Sequence, residues 1–110
     1  MFNIRFVNLT PHVINIVANR HGQKFDFAPS GTVARVSTTR RACADVYGVE
    51  TFLVDFGEVT DLPAPVEGTV YIVSGMVAAA APRPDVFSPG ELVRDEAGRP
   101  VGCKGLTQSC

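Results

Sequence analysis

The 110-residue sequence contains none of the short motifs that identify common enzyme and metal-binding classes. It has no GxxxxGKS/T phosphate loop, no GxGxxG dinucleotide fingerprint, no HExxH zinc motif and no GxSxG nucleophile elbow. Its three cysteines are widely spaced and form no CxxC pair, so the chain encodes neither a zinc site nor a thioredoxin-type redox pair. We therefore expect no metal and no cofactor.

Excess charge and long apolar runs are also lacking. Ten Lys and Arg stand against eleven Asp and Glu, a formal net charge of −1. Broad adhesion to nucleic acid or an anionic membrane needs surplus positive charge, so we expect no long nucleic acid as partner. The longest weakly polar run, residues 75–82, is far shorter than the ~20 residues that span a bilayer. Since Arg5 and Asn8 also interrupt any signal-peptide core, we expect no membrane association and a cytoplasmic location with reduced thiols.

The length and composition fit one globular domain over residues 1–110. A chain of this length is close to the usual size of a single domain and can bury one core without disulfide or metal support. The sequence is 45% hydrophobic and 19% charged, which is typical of a folded protein and not of a disordered one.

Short apolar runs separated by turn residues predict a mainly β fold, a small antiparallel or mixed sandwich or barrel. One short helix is expected at about residues 75–81, where an alanine-rich run lies between Ser74 as N-cap and Pro82 as stop. The predicted strands cover residues 4–8, 13–17, 24–27, 32–38, 44–47, 50–56, 69–74, 91–95 and 100–104. Hairpins are predicted between residues 13–17 and 24–27 around a turn at 19–22, between 44–47 and 50–56 around Gly48, and between 91–95 and 100–104 around residues 96–99. The predicted core comprises Ile4, Phe6, Ile14, Ile16, Phe25, Phe27, Val36, Phe52, Val54, Phe56, Val70, Ile72 and Val77.

The first candidate site is the polar segment that follows the first strand and contains Asn8, Thr10 and His12. A strand continued back from residues 14–16 would place His12 on their apolar face. A histidine there could act as a general base or hold a phosphate, since its unperturbed pKa is near 6.5. The alternative is a turn in which Thr10 caps the backbone and His12 satisfies a carbonyl group.

The second candidate is Arg35, which lies within a predicted strand and is followed by the hydroxyl groups of Ser37 and Thr38. The planar guanidinium group makes two parallel hydrogen bonds to a phosphate or carboxylate, so this arrangement is typical of an anion site. The alternative is an arginine on a solvated sheet face or one half of an ion pair.

The third candidate is the tip of the last hairpin, where Arg94 and Asp95 precede Glu96. Arg94 and Asp95 could contribute to a ligand site. The adjacent acids are too few to specify a Mg²⁺ site, and a polar hairpin turn explains them equally well.

Five segments resemble a family of small proteins common in bacteriophage and prophage genomes: VNLTPHVINI, PSGTVARVS, FGEVTDLPAP, EGTVYIVS and PGELVRDEAGRPVGCKGL. The similarity covers nearly the whole chain. It implies a phage-encoded accessory protein that acts inside the host bacterial cell. By analogy with other small phage proteins, the expected role is counter-defence against nucleotide second messengers of bacterial immunity.

Two functions of different classes follow, and both stay open at this point. In the first, the protein sequesters a cyclic dinucleotide or an ADP-ribose derivative, as a homo-oligomer. The ligand-binding residues expected in this case are Asn8, Thr10, His12, Arg35, Ser37, Thr38, Arg94 and Asp95. In the second, a metal-independent phosphodiesterase uses His12 as acid/base, and Thr10 or Arg35 holds the phosphate. Only one histidine is well placed for acid/base catalysis, which favours binding. A structural or host-protein-binding module is the third possibility.

Overall fold

The computed structural model describes residues 4–17 and 22–109, which form a mainly β protein with one short helix. The turn predicted over residues 19–22 lies largely outside this described part. Among the described residues, no helix is long and apolar enough to cross a membrane. The elements in chain order are β1 (Arg5–Asn8), β2 (Ile14–Ile16), β3 (Phe25–Phe27), β4 (Arg35–Ala42), β5 (Phe52–Thr60), β6 (Thr69–Ile72), α1 (Gly75–Ala80), β7 (Val86–Arg94) and β8 (Pro100–Gln108).

Six of these strands form a mixed sheet that nearly closes into a barrel, in the order β1-β6-β7-β8-β2-β3. The antiparallel pairs β2–β3 and β7–β8 confirm two of the predicted hairpins. The two outer strands, β1 and β3, meet where Asn8 bridges to Pro29 and the Ser30 N–H donates to the Asn8 carbonyl over 3.0 Å. The fold class expected from the sequence is therefore confirmed, with a barrel as the form that it takes.

Helix α1 forms where it was predicted, and it covers one side of the barrel. The Ser74 hydroxyl accepts a hydrogen bond from the Val77 N–H and caps the first turn. Val77 and Ala78 face inward and pack in one cluster with Leu9, Tyr71, Val73, Val86 and Ala34. A second cluster joins Ile14, Ile16, Ile72 and Cys103 across three strands of the barrel.

Strands β4 and β5 form a separate two-stranded sheet, which we call the arm together with its connecting residues 43–51. We predicted a hairpin between residues 44–47 and 50–56, and that pairing was wrong. Only Val46 and Val49 pair there, around a turn in which Tyr47 and Gly48 both have positive φ, the requirement of a type I′ turn. This turn is the tip of a longer hairpin in which β5 pairs with β4 from Ala42↔Phe52 to Arg35↔Thr60.

The arm accounts for three of the six predicted core residues that are exposed. Ile14, Ile16, Ile72 and Val77 are buried, as predicted. The hydrophobic residues of β5 are exposed instead, because nothing in the described part of the chain covers that face of the arm. The predicted core residues that are exposed are Ile4, Phe6, Phe25, Phe52, Val54 and Phe56, and those partly buried are Phe27, Val36 and Val70.

The molecule is consequently elongated. Its radius of gyration is 16.6 Å, against about 13 Å for a compact domain of this length, and its extents are 54 × 40 × 23 Å. Only the base of the arm packs on the body, where Val36 and Val59 contact the cluster beneath α1.

Candidate functional site

Asn8 and Thr10 form a buried hydrogen-bonded cluster at the end of β1. The Asn8 amide nitrogen donates to the carbonyl groups of His12 (2.7 Å) and Phe27 (2.9 Å). Its amide oxygen accepts from the Thr10 N–H (2.9 Å) and lies 2.7 Å from the Thr10 hydroxyl. Every polar atom of the Asn8 side chain is therefore satisfied within the protein, although the residue is only 2% exposed.

The sequence favours this cluster because Asn and Thr readily bond to the backbone two residues ahead, in Asx and ST turns. The Thr10 hydroxyl oxygen lies within hydrogen-bond reach of the Asn8 amide oxygen and, at 3.0 Å, of the His12 carbonyl oxygen. Because the hydroxyl has a single proton, it donates to one of these two acceptors at a time. The hydroxyl is used to hold the chain after β1, as the alternative interpretation of this segment expected. The bond from Asn8 to Phe27 also ties β1 to β3 and helps to close the barrel.

His12 lies beyond this cluster in the bend that precedes β2, and it is exposed. Its carbonyl group accepts the bonds from Asn8 and Thr10. No hydrogen bond or ion pair joins its imidazole to another residue of the described ranges. The expected placement on the apolar face of β2 was wrong, because the bend turns His12 outward while Ile14 and Ile16 point inward.

Arg35 is the first residue of β4 and lines a cleft of about 210 Å³ between the β1–β2 connection, β4 and helix α1. It is exposed, and within residues 4–17 and 22–109 its guanidinium group makes no hydrogen bond or ion pair. Buried apolar residues form part of the cleft lining, and Thr10 and Ser74 add hydroxyl groups. The lining comprises Leu9, Thr10, Pro11, Val33, Ala34, Arg35, Val36, Ser74, Met76 and Val77.

The cleft is small for a complete nucleotide ligand. Pockets that enclose drug-sized molecules measure roughly 300–1,000 Å³, so 210 Å³ holds one phosphate group with part of a sugar. Among the described residues that line it, Arg35 carries the single positive charge and none has a carboxylate. The arrangement can hold an anion, and it lacks a paired acid and base.

Ser37 and Thr38 follow Arg35 on the arm but do not line this cleft. The pairing of β4 with β5 shifts between Val36 and Thr38, where Ser37 lies opposite two residues of β5, Gly57 and Glu58, so that the bulge is on β5. The Ser37 hydroxyl then lies against Gly57, in the space that a Cβ atom would need there. Both side chains remain exposed.

Arg94 and Asp95 lie at a different hairpin, the tip of β7–β8, and have local partners. Arg94 donates to the Gly98 carbonyl over 2.8 Å. The Asp95 carboxylate accepts from the N–H groups of Ala97 and Arg99, both at 2.9 Å, and so organises the turn. Of the predicted ligand-binding residues, the Arg35 cleft brings together only Thr10 and Arg35.

The sequence analysis missed one charged pair, Arg83 with Asp85. The guanidinium group donates to both carboxylate oxygens, at 2.9 and 2.6 Å, and also to the Pro63 carbonyl at 3.0 Å. Both side chains are mostly buried. The hydrogen bond from Arg83 holds the pKa of Asp85 below its usual value, and the Asp85 carboxylate raises the pKa of Arg83. The sequence Arg83-Pro84-Asp85 could have predicted this pair, because it places opposite charges two residues apart and Pro84 restricts the backbone between them.

Two further findings limit the possible functions. No group of three or more His, Cys, Asp or Glu among the described residues could hold a metal ion. Comparison with protein-family models, with curated proteins and with solved structures found no match to this chain. A function can therefore be inferred only from the chemistry of the Arg35 cleft and from the sequence segments that resemble those of small phage proteins.

Proposed function

We propose that the protein binds a small phosphate-bearing molecule at the Arg35 cleft and releases it unchanged. The observation that supports this most directly is the state of Arg35. Its guanidinium group has no acidic partner among the described residues, yet it borders a cleft with a buried apolar lining. Arg83 in the same molecule differs, because its guanidinium group is bound to the Asp85 carboxylate.

The chemistry of the cleft suits a phosphate group that is attached to a sugar. An arginine fork binds two oxygens of one phosphate in parallel hydrogen bonds. Beside it, Leu9, Ala34 and Val77 present apolar surface, which suits the carbon skeleton of a sugar. Because the cleft has room for only this part, the remainder of a larger ligand would lie outside it.

The resemblance to phage proteins selects the ligands that we propose to test first. A phage-encoded protein in the host cytoplasm that captures cyclic dinucleotides or ADP-ribose derivatives would lower the concentration of immune signals without needing turnover. Sequestration therefore remains our proposal for the biological role.

Binding is favoured over cleavage by what the candidate catalytic groups contact. The Thr10 hydroxyl is used in the cluster with Asn8, and His12 is not among the cleft-lining residues. General acid–base cleavage requires a group within hydrogen-bond reach of the reacting oxygen, and a second group for the leaving oxygen. The cleft lining offers neither a histidine nor a carboxylate.

The proposal is tested by incubating the protein with cyclic dinucleotides, ADP-ribose and cyclic ADP-ribose, one at a time. Free nucleotide is measured first, and then again after heat denaturation of the protein. We expect depletion of at least one nucleotide and its return intact on heating. Return of a cleaved product would establish the phosphodiesterase instead. No depletion of any nucleotide would contradict the proposal and favour a structural or host-protein-binding module.

A further inference from the structure

The two faces of the arm differ in chemistry. Residues directly opposite each other in an antiparallel pair project from the same face. One face carries Phe52, Val54 and Phe56, opposite Ala42, Arg40 and Thr38. The other face carries the Arg41–Asp55 ion pair and Thr39, with Leu53 as its one large apolar residue. We call the side of Phe52, Val54 and Phe56 the apolar face of the arm.

The apolar face remains exposed along its length. Phe52, Val54 and Phe56 are 43%, 51% and 45% exposed, and the Arg40 guanidinium covers only part of the Phe52 ring. A two-stranded hairpin is marginally stable in water unless something covers its apolar side. An ordered arm with strands of eight and nine residues is therefore expected to have a binding surface for this face.

The body of the same chain has a second uncovered apolar surface. It is an open cleft of about 340 Å³ with almost no polar surface, and it is lined by Phe6, Ile16, Phe25, Phe27, Gly105 and Leu106. The aromatic rings at this place are mutually ordered, with the Phe6 and Phe27 centroids 4.8 Å apart and the Phe25 ring parallel to that of Phe27. We call this the aromatic cleft.

We propose that two copies of the chain exchange arms, so that the apolar face of each arm packs into the aromatic cleft of the other copy. The occupant is inferred from the chain itself, which presents a projecting apolar element and an open apolar receptor of matching chemistry. The charges fit a protein partner better than nucleic acid or an anionic membrane. From residue 35 to residue 60 the arm carries Arg35, Arg40 and Arg41 against Asp45, Glu50, Asp55 and Glu58, so it has no positive surplus.

The buried area decides between one-sided docking and reciprocal exchange. A two-stranded face nine residues long measures roughly 30 Å by 10 Å, or about 300 Å². One arm in one cleft would bury about 600 Å² in total, which is in the range of weak or adventitious contacts. Two reciprocal contacts bury about 1,200 Å², the lower limit of stable interfaces. Exchange by both copies is therefore the arrangement that the area supports.

The first test is the mass in solution, by light scattering at about 100 µM, above the micromolar Kd of weak interfaces. We expect about 24 kDa, twice the 11.8 kDa of one chain. Val54→Lys places a charge on the apolar face and should give the monomer mass. The matched control is Thr39→Lys, on the opposite face of the same arm, which should stay dimeric. A monomeric wild-type protein, or a Val54→Lys variant that remains dimeric, would overturn the proposal.

The second test locates the contact with native side chains. Cys43 follows β4 on the arm and is exposed. The only two lysines of the sequence, Lys24 and Lys104, adjoin cleft residues Phe25 and Gly105. A short cysteine-to-lysine cross-linker is applied to a mixture of isotopically light and heavy Cys110→Ser chains. We expect Cys43 of one isotope joined to Lys24 or Lys104 of the other. A dimer without any such mixed cross-link would show that the arms dock elsewhere.

Discussion

Replacing Asn8 by aspartate should destabilise the protein in a way that depends strongly on pH. The substitution keeps the size of the side chain and the oxygen that accepts from Thr10. It replaces the amide nitrogen by an oxygen that faces the carbonyl groups of His12 and Phe27, at 2.7 and 2.9 Å. Two hydrogen bonds are lost, and a buried negative charge is placed beside two acceptors.

The magnitude follows from these contacts. Each lost bond costs about 1 kcal/mol, and leaving buried acceptors unsatisfied adds about 1–3 kcal/mol. We expect the free energy of unfolding at pH 7 to fall by about 3–4 kcal/mol, a large part of the 5–15 kcal/mol typical of a domain. The introduced carboxyl group should have a raised pKa in the folded state, because only its neutral form can donate a proton to one of the carbonyl groups. The deficit should therefore shrink to about 1–2 kcal/mol as the pH falls through that folded-state pKa.

The assay is urea unfolding followed by circular dichroism at pH 7 and at about pH 4.5, just above the pKa of a free aspartate. Asn15→Asp is the matched control, because Asn15 is an exposed asparagine on β2. Because Asn15 lies opposite Asp26 on β3, the added charge should cost no more than about 1 kcal/mol at pH 7, and less at pH 4.5. A deficit for Asn8→Asp below about 1 kcal/mol at pH 7, or one that does not diminish in acid, would refute the role assigned to this cluster.

Three other substitutions test the Arg83–Asp85 pair and the close packing at two glycines. Asp85→Asn should lower the free energy of unfolding by about 2 kcal/mol at pH 7, since it removes a charged hydrogen-bond acceptor from Arg83. Because the folded-state pKa of Asp85 is lowered, this difference in the free energy of unfolding should persist above about pH 4. It should disappear as acid protonates the Asp85 carboxylate of the wild type. A difference that is unchanged at pH 2 would contradict this prediction. Gly90→Ala should cost about 1–3 kcal/mol, because a Cβ atom would collide with the Lys104 carbonyl, while Gly75→Ala meets open space and should not destabilise. Equal melting temperatures for these two glycine variants would refute the packing argument.

The helix and the two short-range hairpins were predictable because the residues that determine them are close together in the sequence. Helix α1 was found from its alanines, its Ser74 cap and the following proline, and the β2–β3 and β7–β8 hairpins from their turn residues. The β4–β5 pairing was missed because it joins residues up to 25 positions apart, as in Arg35↔Thr60, and a local turn at Gly48 concealed the longer hairpin.

The core was harder to predict, since hydrophobicity alone does not show which apolar residues the chain itself covers. Phe52 and Phe56 have the alternating pattern of a half-buried strand, yet no described residue of the body packs over them. Conversely, Asn8 is among the most buried residues because its hydrogen bonds to Thr10 and Phe27 compensate for its burial.

The candidate site was predictable one residue at a time but not as a set. Arg35 and Thr10 were singled out as polar residues in or beside strands, and they do line one cleft. Arg94 met the same criterion, but its partner, the Gly98 carbonyl, is created by the turn of the β7–β8 hairpin. Which polar residues share a site depends on strand order, and the sequence does not encode strand order locally.

The central claim, that Arg35 binds a phosphate-bearing ligand, is tested most directly by calorimetric titration of Arg35→Ala with the nucleotide that the wild-type protein depletes. Loss of a charge-assisted hydrogen-bonding fork costs about 1.5–3 kcal/mol, so we expect the affinity to fall by roughly 10- to 150-fold. Arg99→Ala, which truncates an exposed arginine on the β7–β8 loop, should bind as the wild type does. Unchanged affinity in Arg35→Ala, or equal losses in both variants, would contradict the claim.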